Sequence, residues 1–137
     1  MKNISTPSGK LYTTARIVAA VLLLQTLVHK FGGTAESRAL FEQLGAQEWS
    51  RLLSLGGEPT GRILSGISEL IVGLLLLFPK TSWLGALGAM GMMVVAMIFH
   101  VFILGIDPLF GMAVVVFACS AFVAFKNKDV ILSFLKR

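Results

Sequence analysis

The sequence has one cysteine, one tyrosine and two histidines, and only 14% of its 137 residues are charged. A lone cysteine, Cys119, excludes an intramolecular disulfide and any C-x-x-C thiol relay. There is no glycine-rich dinucleotide fingerprint, and no polar stretch is long enough to form a soluble cofactor-binding domain. Metal chemistry is thinly supplied, because His29 and His100 lie far apart and show no local ligand spacing. A facial triad or a haem clamp would have to rest on tertiary geometry alone, so no metal is assigned. The charge balance is basic, with 12 Lys and Arg against 7 Asp and Glu. That excess is explained by tails near anionic headgroups, so a nucleic-acid role is rejected.

What the chain has in quantity is apolar surface, at 55% hydrophobic residues and a mean hydropathy of +0.83. A water-soluble fold of this size cannot bury so much, whereas a bilayer requires it, at about 20 apolar residues per helical crossing. Four stretches reach that length, at residues 11–31, 62–79, 82–104 and 109–126. Lipid offers the backbone no hydrogen-bond partners, so each is read as an α-helix. The expected fold is a single all-α domain, an integral membrane four-helix bundle. The first stretch is read as retained, because Lys2, Lys10 and the apolar run Ile17 to Leu24 are followed by no A-x-A-like cleavage site.

Lys2, Lys10, Arg16, Lys80, Lys126, Lys128, Lys136 and Arg137 fall on one side of these crossings, and Lys30, Arg38, Arg51 and Arg62 on the other. The positive-inside bias then places both termini in the cytoplasm, and the expected location is the plasma membrane of a prokaryote. Arg16 is expected to snorkel to the cytoplasmic interface. The outer loop, residues 32–61, has the length of a functional connection. Thr34 is a candidate N-cap for a helix with Leu40, Phe41 and Leu44 on one side, and Trp49, Leu52 and Leu53 form a second apolar patch. Trp49 reads either as an interfacial anchor or as part of a lid. Gly85, Gly88, Ala89 and Gly91 on the third crossing, and Ser65, Gly66 and Gly73 on the second, predict close packing of those two helices.

Polar side chains at membrane depth are expensive and point to function by default. Gln25 and His29 share a face at the outer end of the first helix by their i, i+4 spacing. Glu69 lies about 10 Å inward from Arg62 at 1.5 Å per residue, and His100 sits near the outer end of the third helix. Alternating helix directions bring all four to the outer half. A carboxyl there must pair with a cation, for which Lys30, Arg62 or a protonated histidine are available, or else hold its proton. Two readings stand: a ligand-binding or proton-handling site formed by Gln25, His29, Lys30, Glu69 and His100, or a polar network that only fixes helix packing. Met90, Met92, Met93 and Met97 read as flexible packing that could also line a cavity for an isoprenoid or acyl chain.

The stretches QTLVHKFGG from Gln25, FEQLG from Phe41, GISELIVGLLLLFPKT from Gly66, and the Met- and Gly-rich helix ending in His100 and LGI resemble the DoxX-like membrane proteins. The resemblance spans residues 16–106 and implies a four-helix membrane bundle. By analogy of fold alone it also implies a quinone-linked or sulfur-redox setting, acting with a partner subunit. Three functional readings follow. The favoured one is a binding or accessory subunit whose outer cavity takes a lipid-like or quinone-like molecule. The others are a membrane oxidoreductase component and a structural or assembly protein without a ligand. Membrane lipids, a redox partner subunit and further copies of the chain are the expected partners, and whether the chain is an enzyme stays open. Transport is disfavoured, because four helices without an inverted repeat leave little room for alternating access.

Overall fold

The computed structural model describes residues 9–137. It contains helices α1 (Lys10–Gly32), α2 (Ala35–Gly45), α3 (Glu48–Leu53), α4 (Thr60–Leu77), α5 (Ser82–Phe99), α6 (Pro108–Lys126) and α7 (Lys128–Leu135), with a π turn, His100–Leu104, continuing α5. Lys2 lies outside the described residues. Four segments are long and apolar enough to cross a membrane: α1, α4, α5 with its π turn, and α6. They match the four expected crossings. The second ends at Leu77 rather than at Pro79, because the proline pushes the preceding residue out of the helical region. Phe78 is extended, at φ −92° and ψ 123°.

The four crossings form a ring in which α1 packs on α4 and α6, and α5 packs on the same two helices. Small and branched side chains fill the centre, among them Ala19, Ala20, Leu23, Leu76, Ala86, Ala89, Val116 and Val123. At the tail end, where α1 begins and α6 finishes, Asn127 Nδ2 donates to Tyr12 Oη at 3.0 Å. Tyr12 Oη in turn shares a hydrogen bond with Ser82 Oγ. Beyond them the short helix α7, which the sequence reading left as a tail, buries none of its residues and sets Phe134 against Trp83 with ring centroids 5.3 Å apart.

The glycines divide between two partners. A Cβ on Gly85 would sit 2.7 Å from the Leu76 nitrogen, and one on Gly88 would meet Val72, so the α4–α5 approach is as expected. Gly66 and Gly73, however, receive Phe31 and Leu24 of α1. The small face of α4 therefore serves α1, not α5, because α4 must accommodate a large-residue ridge on that side.

Two arginines lock α1 to α4 reciprocally. Arg16 Nη1 donates to Leu76 O at 3.2 Å and to Leu77 O, at the end of α4. Arg62, near the start of α4, donates through Nη1 to Lys30 O at the end of α1, while its Nε reaches Glu58 Oε2 at 2.7 Å. Each guanidinium answers carbonyls that a helix end leaves without partners. Arg16 is thus buried inside the bundle, at 8% exposure. This corrects the snorkelling expectation: unpaired carbonyls within reach outcompete the interface.

Candidate functional site

At the opposite end, the loop end, α1 and α4 bring together a buried ion pair. Glu69 sits in the middle of α4 and is 6% exposed. Lys30, in the last turn of α1, donates to Glu69 Oε1 and also to Ser65 Oγ at 3.1 Å. Phe41 of α2 packs over the ammonium, 6.0 Å from ring centroid to Nζ. The second carboxylate oxygen, Oε2, contacts Thr26 Oγ1 at 2.5 Å, and Thr26 Oγ1 also faces Leu23 O at 2.7 Å. One threonine proton cannot serve two acceptors fully. Oε2 is left with capacity for a further donor.

Across the bundle, His100 is held from two sides. The π turn closes with Gly105 N donating to His100 O at 2.7 Å, and Gly105 accepts its positive φ of 88° as few other residues would. His100 Nδ1 lies 3.1 Å from Gly105 O and 3.3 Å from Asp107 Oδ1. A carbonyl and a carboxylate only accept, so Nδ1 carries a proton, and in the neutral ring Nε2 presents a lone pair. Asp107 Oδ1 also accepts from Phe110 N at 3.0 Å, capping α6, whose first residue is Pro108. The same carboxylate thus starts a helix and aims an imidazole.

Between these two centres lies a cavity of about 540 Å³, reached by Thr26, His29, Lys30, Ser65, Glu69 and His100. Its remaining walls are largely apolar, with Met92, Met93, Val95, Phe99 and Met112 from α5 and α6. The connection between α1 and α4 roofs it. Thr34 caps α2 by accepting from Ser37 N at 3.3 Å, and Phe41 and Leu44 bury themselves against Phe99. Ser50 Oγ ties α3 to Leu44 O, and Trp49 stacks near Phe99 and Phe102 with centroids 5.9 and 6.3 Å away. Trp49 remains 44% exposed, so it bolts the roof from outside and does not line the cavity.

The DoxX profile matches residues 11–103, about two-thirds of the sequence. The chain belongs to the DoxX family. Comparison with curated proteins and with solved structures gives no match. Together with the four apolar helices, membership makes the chain a multi-pass membrane protein. The matched DoxX region runs from the second residue of α1 into the π turn, so it includes both Lys30–Glu69 and His100 and stops short of Asp107.

Within this DoxX bundle, the residues singled out by sequence fall into three places. Lys30, Glu69 and His100 are in or against the cavity, and Lys30 alone supplies the cation for Glu69, since Arg62 is engaged by Glu58 and Lys30 O. His29 reaches the cavity from an exposed position at its rim. Gln25 does not line it: the side chain is exposed and Nε2 lies 3.3 Å from Met112 Sδ, bridging α1 to α6. Among the methionines, Met92 and Met93 line the cavity while Met97 packs into the core. Asp107 and the partners of Thr26 and Ser65 escaped the sequence reading, which placed Ser65 only on a small packing face. Hydroxyls are common in membrane helices, and only a partner on another helix marks these two. Asp107 did carry a signal, an Asp-Pro pair beginning a helix seven residues after His100. Among the described residues, no three His, Cys, Asp or Glu side chains converge as a metal site would require.

Proposed function

We propose that this DoxX-family protein is a binding or accessory subunit that holds a lipid-like or quinone-like molecule in the loop-end cavity. The observation that carries this is open space beside a buried ion pair. A network built only for packing gains most when closed, because a desolvated pair adds little stability over apolar side chains of the same volume. Here about 540 Å³ is left against Lys30, Glu69 and the aimed face of His100. That volume suits a small molecule, with apolar walls for its body and few polar groups to orient it. The molecule resides in the cell membrane, with the tail end cytoplasmic and the roofed end outside, in keeping with the lysines around the tail end. Contacts with a redox subunit or a second copy would use its exposed helix faces.

Purification in nanodiscs, followed by mass spectrometry and an absorption spectrum of the extract, tests this reading. A lipid or quinone retained by the native chain and lost from Glu69→Gln is the expected result. An extract holding only bulk nanodisc lipid, unchanged by added quinone, would support the ligand-free assembly reading instead.

The His100–Asp107 contact favours a second reading, in which the bound molecule exchanges a proton with the chain as part of a membrane oxidoreductase. An imidazole with one nitrogen fixed as donor offers the other as a base. Asp107→Ala should release the ring to exchange tautomers, seen as averaging of the histidine ¹⁵N resonances, and cost about 1 kcal/mol through the lost cap. Unchanged resonances would show that Asp107 does not hold the ring.

A further inference from the structure

Helices α4 and α5 diverge as they approach the loop end. At Gly85 they touch backbone to backbone, and at Gly88 the contact is with the Val72 side chain. One turn further, a Cβ on Gly91 would meet nothing within 4 Å, although a closed antiparallel pair would place Ser68 or Glu69 opposite it. Gly91 and Ser68 are both exposed and both border the cavity, together with Met92 and Val95. The surface on either side is lipid-facing, with Leu64, Ile67 and Ile71 exposed on α4 and Leu87, Val94 and Ile98 on α5.

Side-chain contacts cross the other seams, and the remaining exposed lining, His29 and Glu36 among it, lies at the polar loop end rather than on the lipid-facing flank. Phe31 on Gly66 and Leu24 on Gly73 close the seam between α1 and α4. Gln25 and Met112 bridge α1 to α6. Phe41, Leu44 and Phe99 hold the roof.

We infer that the ligand enters sideways from the bilayer through the slot between Ser68 on α4 and Gly91 on α5, and that it is a single-chain amphiphile with a hydroxyl-bearing head that carries no negative charge. This rests on the binding role proposed above and adds a route and a chemical class. Lys30 and Glu69 neutralise each other, Arg62 is engaged by Glu58, and Glu36 adds a carboxylate at the rim, so the cavity offers an anionic head no free Lys or Arg. It does offer acceptors short of a donor, Glu69 Oε2 and His100 Nε2, which a hydroxyl satisfies. The tail then lies in the slot, where the absent side chain of Gly91 makes room and neighbouring lipid chains continue the apolar surface.

The test uses the full chain in phosphatidylcholine nanodiscs with a diazirine-bearing fatty alcohol as the probe, its cross-links mapped by mass spectrometry over time. In the native protein, label is expected on Ser68, Met92 and Val95 and, deeper, on Met93 and Ala113. Gly91→Phe starts from a Cβ in open space and projects a ring into the slot, and should slow deep labelling about tenfold. Val94→Phe places the same ring on the lipid face and should leave the rate unchanged. Native-rate deep labelling in Gly91→Phe would overturn the entrance while leaving the binding role intact. Label confined to lipid-facing residues such as Ile71 and Ile98 in the native chain would overturn the binding role and the entrance together. Deep labelling by a diazirine fatty acid as fast as by the alcohol would overturn the exclusion of a negatively charged head.

Discussion

At the scale of single residues, the decisive feature is that Glu69 has one cation and that cation has few other partners. Glu69→Gln leaves the Lys30 ammonium buried beside Ser65 without a counterion, and removing one member of such a pair costs about 3 kcal/mol. The double change Lys30→Met with Glu69→Leu should recover most of that, as both charges leave together. Thermal unfolding in detergent reads both variants. A single substitution as stable as the native chain would mean that water already reaches the pair. Comparable burial of Arg16 shows why the residue scale is the hardest to read from sequence. Arg16 and Lys10 look alike as basic residues near a membrane edge, yet only Arg16 has the α4 carbonyls within reach. The same holds for Thr26 and Ser65, whose roles are defined by partners 43 and 35 positions away.

Among the elements, the helices themselves were legible because lipid imposes a length and forbids unpaired backbone, so four apolar runs could only be four crossings. Their ends were legible where local chemistry acts, as with Thr34 before α2. Which helix a small face serves was not legible: Gly66 and Gly73 could as well have met α5 as α1, and only the placement of Phe31 and Leu24 decides it. The π turn also went unseen, since its extra residue is fixed by the Gly105–His100 exchange and not by periodicity. The divergence of α4 and α5 yields a paired expectation. Gly85→Ala forces a methyl against the α4 backbone and should destabilise by about 1–3 kcal/mol. Gly91→Ala meets open space and should be neutral or stabilising by up to about 1 kcal/mol, from helix propensity. Melting curves of the two variants in detergent would separate them, and equal losses would show that the helices do not splay.

For the whole molecule, the ring of four crossings puts a polar, well-tied tail end opposite a roofed loop end. In a Cys119→Ala background, Gln47→Cys should react with an impermeant thiol reagent from outside intact cells, and Lys128→Cys only after permeabilisation. The reverse pattern would invert the assigned orientation. The reciprocal arginines carry a further consequence for the bilayer around the protein. The guanidinium of Arg16 and the carbonyl of Lys30 mark two polar levels about 21 Å apart along α1, at 1.5 Å per residue over fourteen positions. Because each level is fixed by the opposite helix, neither can slide to suit its surroundings. Both levels are buried inside the bundle, while the exposed apolar residues of α1 run from Leu11 to Phe31, about 30 Å at the same rise, so the lipid-facing span matches the hydrocarbon core. A change in acyl-chain length is then met by tilt of α1 and α4 together, as one unit.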